Sequence, residues 1–288
     1  MAIALLGLIT LLVIEPGKAP PATSTSLTRL KPVEIQHITI NKPGHDTIRL
    51  QKHDQQWRLT APFSAPANTA RIEKLLAVAK AQSLTQYALN KIDRHQLRLD
   101  KPQFQLDLDD LSLSFGTTEP ISQNRYVQVG DTVHLILDRY SYLLHGTATD
   151  FVEPRLLPED AKMNALKLPA LELRLQGDQW QLLNSEDQAS ADDINRLVDS
   201  WRFAHALKVS RIKTNATGEQ MLIRLAGEDQ ALKYVIMQSS DEIIFQHPAS
   251  GLQYHFTSAN AKTMLSLGGS DPSALPSTLP STLPSTKE

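Results

Sequence analysis

Residues 56–62, Gln-Trp-Arg-Leu-Thr-Ala-Pro, and the helix-like run 69–82 that follows them occur in a second version later in the chain. Residues 179–182, Gln-Trp-Gln-Leu, repeat the tryptophan strand, and Trp180 follows Trp57 by 123 positions. Residues 191–204 repeat the helix-like run. The chain therefore reads as two copies of one unit, in which a strand meander leads into a helix.

Each predicted helix has one apolar stripe. Its members fall at positions i, i+3, i+4 and i+7, the spacing of one helix face. The first stripe is Ile72, Leu75, Leu76 and Ala79, and the second, 122 positions later, is Ile194, Leu197, Val198 and Trp201. Ser190 is the predicted N-cap of the second helix. We expect the structural core of the repeats to contain Trp57, Leu75, Leu76, Trp180, Leu197, Val198 and Trp201.

Short segments of alternating apolar and polar residues surround both helices. Such alternation, broken by turn residues, predicts antiparallel strands. The predicted strands are 33–40, 48–51, 57–59, 104–108, 111–115, 125–129, 133–137, 171–175, 221–225, 232–237, 243–247 and 252–256. The predicted fold class is α+β, with two tandem copies of an antiparallel meander, each with one packed amphipathic helix. Two unrelated α+β domains are the alternative.

An apolar segment begins the chain. Residues 2–14 are apolar except for Thr10, and Glu15-Pro16-Gly17 ends any helix. A bilayer span needs about 20 residues, so this segment is short for one, and no Lys or Arg precedes it. We interpret it as an uncleaved membrane anchor helix; a cleaved signal sequence and a buried N-terminal helix are the alternatives. The expected location is the inner membrane, single-pass, with the folded part in the periplasm.

These patterns predict a domain organisation. Residues 275–286 repeat Leu-Pro-Ser-Thr three times, and such low-complexity sequence cannot form a core. The predicted parts are an anchor or signal segment (1–15), a linker (16–32), the first α+β repeat (33–150), an inter-repeat linker (151–169), the second α+β repeat (170–267) and a disordered tail rich in Pro, Ser and Thr (268–288).

Composition and motifs exclude several function classes. The net charge of −2 gives no basic excess for nucleic acid, and the absence of cysteine removes thiolate chemistry and disulfides. The sequence has no phosphate-binding glycine loop, His-Glu-x-x-His pair or Gly-x-Ser-x-Gly turn. We therefore predict no catalytic residues, no cofactor and no metal.

One group of residues has the composition of a recognition surface. Aromatic and arginine side chains dominate such surfaces, although packing in a core is the ordinary alternative. The candidate ligand or partner surface is Arg125, Tyr126, Arg139, Tyr140 and Tyr142.

A tryptophan that recurs in both copies is better explained as a core anchor. Function is expected where the copies differ: the 62–66 loop, the 90–101 insertion and the cleft between the repeats.

Several short patterns resemble a family, the bacterial domain of unknown function number 4340. They are Trp57-x-Leu59-Thr60-x-Pro62, Ala67-Asn68 before Leu75-Leu76, Leu113-x-Phe115-Gly116, Arg125-Tyr126-Val127, Val133-x-Leu135, Phe151-x-x-x-Arg155-Leu156-Leu157 and the Glu15-Pro16-Gly17-Lys18 exit. The resemblance covers about residues 33–265. It implies an N-terminal anchor and, in some members, association with auxiliary components of gliding-motility-type ABC transporters. It implies no catalytic residues.

Two functions follow as hypotheses. The first is a non-enzymatic envelope protein that acts as an accessory or scaffold component of an ABC-type transport system. The second is a periplasmic binding module for a glycan, lipid or peptide in the groove between the repeats. An enzyme ranks below both, because no pattern pairs a nucleophile with a base. The sequence leaves the oligomeric state open.

Overall fold

The computed structural model describes residues 25–183, 189–239 and 241–267. The predicted N-terminal anchor (1–15) and the predicted tail (268–288) lie outside these residues. The fold is α+β and mostly β, with two antiparallel sheets and few helices. In the part of the chain described, no helix has the length and apolar character that crossing a membrane requires.

The first sheet consists of ten strands. They are β1 (Thr25–Ser26), β2 (His37–Asn41), β3 (Ile48–His53), β4 (Gln56–Ala61), β5 (Ala65–Pro66), β6 (Gln82–Ala88), β7 (Phe104–Leu108), β8 (Leu111–Thr118), β9 (Arg125–Val129) and β10 (Thr132–Ile136). Their order in the sheet is β1-β6-β10-β9-β8-β7-β2-β3-β4-β5.

The second sheet consists of eight strands. They are β11 (Met163–Lys167), β12 (Glu172–Gln176), β13 (Gln179–Leu183), β14 (Lys208–Arg211), β15 (Gln220–Leu225), β16 (Leu232–Gln238), β17 (Glu242–His247) and β18 (Leu252–Thr257). Their order is β14-β18-β17-β16-β15-β11-β12-β13. Each strand in this order corresponds to one strand of the series β6-β10-β9-β8-β7-β2-β3-β4 in the first sheet, so β14 corresponds to β6 and β13 to β4.

The described residues form four α-helices. They are α1 (Thr69–Leu76), α2 (Ser141–Leu144), α3 (Ala191–Arg202) and α4 (Ser258–Leu265). Residues 25–49 and 73–145 form one compact unit, and residues 50–72 and 146–267 form the other. The boundary therefore passes through β3 and α1. The predicted repeat boundary at 151–169 stays a prediction.

In the first unit, the chain before β2 is fixed to the segment after α1. Leu27 is 3% exposed, and its amide donates to the carbonyl of Ala81. The Thr28 hydroxyl donates to the carbonyl of Ala79 over 2.9 Å. Residues 25–28 thus belong to the packed unit, whereas the sequence predicted a linker over residues 16–32. The polar composition of this segment gave no sign of these contacts, because they depend on partners about 50 residues away in the chain.

In the second unit, α3 packs through its apolar stripe. Ile194, Leu197, Val198 and Trp201 are all buried. The Trp201 ring stacks on Phe245 of β17 with centroids 5.5 Å apart, and its indole nitrogen donates to the carbonyl of Met264. Ser190 accepts a hydrogen bond from the Asp193 amide, so the predicted N-cap is confirmed. In the first stripe, Ile72, Leu75, Leu76 and Ala79 are buried as well.

The two repeated tryptophans differ in burial. Trp57 is 4% exposed, and β4 has β5 as a further neighbour. Trp180 is only partly buried, because β13 is the last strand of its sheet. Trp180 therefore does not match the buried core role expected for it. Trp201 is the fully buried tryptophan of the second unit.

Two predicted element boundaries differ from the structure, and one strand lies within a predicted linker. The first helix ends at Leu76, and a 3₁₀ turn at Ala77–Lys80 leads into β6. The first predicted strand begins late, because Pro32 opens a 3₁₀ turn at Pro32–Glu34 and β2 starts at His37. The predicted 151–169 linker contains β11, which pairs with β12 on one side and with β15 on the other. Pairing with the distant strand β15 decided β11.

Candidate functional site

A pocket of about 280 Å³ lies in the first unit, where the 90–101 insertion meets the end of β2 and the start of β7. Its lining residues are Lys42, Pro43, Arg98, Lys101, Pro102, Gln103, Phe104 and His145. We call it the basic pocket, because Lys42, Arg98 and Lys101 are cationic and none of its eight lining residues carries a carboxylate. Cations gathered in a concave surface create a positive potential that attracts anions.

Side chains of the framework shape two walls of the basic pocket. The Phe104 ring is fully buried and meets the His145 ring edge to face, with centroids 4.6 Å apart. The Lys42 ammonium donates to the carbonyl of His145 over 3.2 Å, which ties the lysine to the end of α2. Lys42 therefore enters the pocket from a fixed position, with ammonium hydrogens left for a ligand.

The 90–101 insertion is a chain of tight turns. The Asp93 carboxylate accepts from the amide of His95 at 2.9 Å, and the Leu99 amide donates to the carbonyl of Arg94 at 2.8 Å. Leu99 is 1% exposed and anchors the turns in the core. Arg98 has a φ of +53°, in the left-handed region that costs a residue with a Cβ about 1–3 kcal/mol. This conformation lets Leu99 face the core while Arg98 lines the pocket.

Gly116 allows the insertion to approach β8. A Cβ on residue 116 would lie 2.2 Å from the carbonyl oxygen of Leu97 and 2.9 Å from a Leu99 methyl carbon. The amide of Thr117 donates to that Leu97 oxygen over 2.9 Å. Only glycine permits this backbone contact, so Gly116 sets the position of the insertion and hence of Arg98.

Arg125 contacts Gln103 of the basic pocket and the backbone of Gly116 from inside the unit. It is 7% exposed, and its guanidinium pairs with the Asp138 carboxylate at 2.7 Å. One of its nitrogens also donates to the Gly116 carbonyl at 2.6 Å and to the Gln103 side-chain oxygen at 2.8 Å. Burial alone would raise the pKa of Asp138, but hydrogen bonds from Arg125 and Ser141 and the arginine charge lower it. Arg125 thus connects a pocket residue to the core.

The structure separates the five residues of the predicted surface. Arg125 is buried, and Tyr126 follows it on β9 and so faces the opposite side of the sheet. The Tyr140 hydroxyl donates to the carbonyl of Ala77, and burial raises the pKa of this tyrosine. Tyr142 is 62% exposed, and Arg139 is exposed as well. Arg125 supports the basic pocket from inside and does not share a face with Tyr126.

The family comparison covers this region. The family model described as domain of unknown function (DUF4340) matches residues 57–233, more than half of the chain. The chain belongs to this family. The DUF4340 match includes Arg98, Lys101, Gly116 and Arg125, and it begins after Lys42. Comparison with curated proteins and with solved structures gives no match.

Sequence reasoning missed the three cations of the basic pocket. Lys42 and Arg98 are 56 residues apart in the chain, and no motif joins them. The available signal was the 90–101 insertion, one of the places where the two copies differ. Another such place, the 62–66 loop in the second unit, carries Phe63, whose ring lies 4.5 Å from the Arg211 guanidinium. Within the described residues, no group of His, Asp and Glu could hold a metal ion.

Proposed function

We propose that this protein is a membrane-anchored envelope protein whose folded part binds an anionic ligand in the basic pocket. One observation carries the proposal. Lys42, Arg98 and Lys101 converge on one pocket of about 280 Å³ whose described lining includes no carboxylate. This develops the binding-module hypothesis and places the ligand in the first unit.

The electrostatics of the basic pocket favour an anion. Like charges in one concavity repel each other, and a bound phosphate or carboxylate relieves that repulsion. Arg98 can form a two-pronged contact with such a group, whereas Lys42 and Lys101 act as point charges. The left-handed backbone at Arg98 fits this role, since strained residues cluster at ligand sites.

The size of the basic pocket limits the ligand. About 280 Å³ is at the small end of ligand pockets, so it suits one anionic headgroup or sugar acid better than a long peptide. Among the expected ligand classes of glycan, lipid and peptide, the anionic glycans and lipids fit best.

A binding experiment tests this function. We expect the full chain to bind inorganic phosphate through the basic pocket. Each charge is worth about 1 kcal/mol, so Arg98→Gln with Lys101→Gln should weaken binding roughly 25-fold. Lys91→Gln removes an exposed charge outside the pocket lining and is the matched control. Unchanged affinity in the double variant, or an equal loss in the control, would contradict the proposal.

The architecture is proposed to have arisen by internal duplication, with one packed helix in each copy. The shared strand order of the two sheets supports it, because a common order of eight strands with helices after β4 and β13 is improbable for unrelated domains. An experimental structure in which these eight strands do not superpose in this order would refute duplication.

The anchor and the transport partner are also proposals. The apolar residues 2–14 and the family resemblance support a single inner-membrane anchor with the folded part in the periplasm. A reporter fused after Glu288 should then be active only as a periplasmic fusion. For a role as an accessory or scaffold in an ABC-type system, an ATPase or permease subunit should copurify with the tagged chain. Purification of the chain alone after gentle solubilisation would count against that partner.

A further inference from the structure

A row of polar side chains crosses one face of the second sheet. Ser210 of β14 has its hydroxyl 2.8 Å from Nε2 of His255 on β18. Nδ1 of His255 lies 3.0 Å from a carboxylate oxygen of Glu242 on β17. The strand registers pair Ser210 with Gln253 and His255 with Ile244, so these side chains share a face. We call Ser210, His255 and Glu242 the serine row.

Neighbouring hydrogen bonds determine which atoms of the serine row donate. The Ala216 amide must donate, so the Gln246 side-chain oxygen accepts from it at 2.9 Å. The Gln246 nitrogen then donates to the Thr214 carbonyl and to the Gln253 side-chain oxygen. Gln246 is 2% exposed, which keeps water from competing with these contacts. The Gln253 amide is thereby oriented with its nitrogen toward Ser210.

The direction of hydrogen-bond donation from Gln253 also determines the protonation of His255. The Gln253 nitrogen donates to the Ser210 oxygen at 3.1 Å and lies 3.3 Å from Nε2 of His255. The Gln253 nitrogen is a donor and faces Nε2, which makes Nε2 the unprotonated acceptor of the ring and leaves the Ser210 hydroxyl to donate to it. The proton of His255 then sits on Nδ1 and is donated to Glu242. This is the tautomer in which a histidine acts as general base toward a serine.

We propose that the serine row is a nucleophilic site that forms an acyl-enzyme with small carboxylic esters. The Ser210 oxygen would bond to the ester carbonyl carbon as its proton moves to Nε2, and that proton would leave with the alcohol when the ester C–O bond breaks. Water would then attack the acyl-serine and lose a proton to Nε2. The serine regains that proton as the carboxylic acid departs.

Solvent can reach the serine row, but only in part. The His255 side chain keeps 12% of its exposure and that of Glu242 keeps 43%. The Gln253 side-chain nitrogen lies 3.1 Å from the Ser210 oxygen, so an ester carbonyl bound at Ser210 would lie beside this polar group. The opposite face of these strands is the core, where Val209, Phe245 and Phe256 are buried.

Two other Ser–His pairs in the chain serve as internal comparisons. Ser83 contacts His134 and Ser250 contacts His247, each through Nδ1. No carboxylate contact accompanies either pair among the described residues, and the first pair is buried. The proposal therefore predicts reactivity at Ser210 and not at Ser83 or Ser250. This inference goes beyond the proposed anion binding and adds an activity that sequence motifs do not predict.

A fluorophosphonate probe tests the inference on the full chain. The serine oxygen would displace fluoride from phosphorus while Nε2 takes the proton, and peptide mass spectrometry should locate the adduct on Ser210. Ser210→Ala should abolish the label, and Glu242→Gln should slow labelling roughly tenfold by removing the orienting charge. His255→Asn should slow it about 100-fold or more. Ser250→Ala is the matched control and should label at the wild-type rate.

Two results would overturn the inference. One is a folded wild-type protein that labels no faster at Ser210 than at Ser250. The other is a Ser210→Ala variant that keeps the wild-type labelling rate. Hydrolysis of p-nitrophenyl acetate gives a second readout, and its rate should fall in parallel with the labelling rate. Circular dichroism of each variant establishes that the sheet is folded, so a loss of labelling in a folded variant reports chemistry.

Discussion

Replacing Arg125 by methionine should destabilise the first unit, because the arginine centres a buried polar network. Its side chain keeps 9% of its exposure and that of Asp138 keeps 20%. Methionine fills a similar volume but leaves the Asp138 carboxylate without its charge partner. It also removes the donors to the Gly116 carbonyl and the Gln103 side chain. Removing one partner of a buried ion pair costs about 3–5 kcal/mol, and the remaining exposure of Asp138 favours the lower end.

The measurement is urea unfolding of the full chain by far-ultraviolet circular dichroism, with hydrogen exchange to locate the effect. All three tryptophans lie in the second unit, so hydrogen exchange is needed to follow the first. We expect Arg125→Met to lower the free energy of unfolding by about 3 kcal/mol and to speed exchange in β8, β9 and β10. Arg139→Met is the control, since this exposed side chain should change stability by about 0.5 kcal/mol or less.

The pH dependence of stability tests the same interaction between Arg125 and Asp138. The folded-state pKa of Asp138 is below its ordinary value, so its stabilisation is full above the unfolded-state pKa. That stabilisation is lost as the pH falls through the folded-state pKa. Wild-type stability should therefore fall in acid below about pH 4, and Arg125→Met should show a smaller fall. A loss below about 1 kcal/mol, or exchange unchanged in β8 to β10, would refute this account of Arg125.

Three further changes have defined outcomes. Gly116→Ala should displace the insertion, because its Cβ would lie 2.2 Å from the Leu97 oxygen, and should reduce phosphate affinity in a binding titration. Trp201→Phe keeps an aromatic ring but removes the indole nitrogen that donates to the Met264 carbonyl, so urea unfolding should show a loss of about 1–3 kcal/mol. Ser190→Ala removes the α3 N-cap and should cost about 1 kcal/mol in a thermal or urea unfolding experiment, whereas Ser190→Gly should cost less.

Local patterns predicted part of the fold well. The alternating segments 104–108 and 125–129 coincide with β7 and β9, and the α3 stripe and its cap match the structure. In these places one face of the helix or strand is buried, so apolar residues recur in the sequence with the period of that helix or strand. Strands β6 and β14 were missed for the opposite reason. Most of β6 is exposed, and it is defined by backbone pairing with β10.

The candidate site could not be predicted in the same way. Sequence comparison of the two copies pointed to the 90–101 insertion, but Lys42 joins it only through the folded sheet. Arg125 was identified as important on residue type, yet its burial and its partners Asp138 and Gly116 were not visible. An alternating pattern predicts a strand, but it does not identify which face of the strand is buried.

The sequence by itself determined the family, the α+β class and the amphipathic stripes, because these depend on residue types at short, regular spacings. Tertiary structure alone decided the sheet order, the partial exposure of Trp180, the basic pocket and the contact between Ser210 and His255. Those features depend on which distant strands pair and in which register. A shift of one residue in the pairing of β14 with β18 would turn Ser210 to the other face of the sheet and separate it from His255.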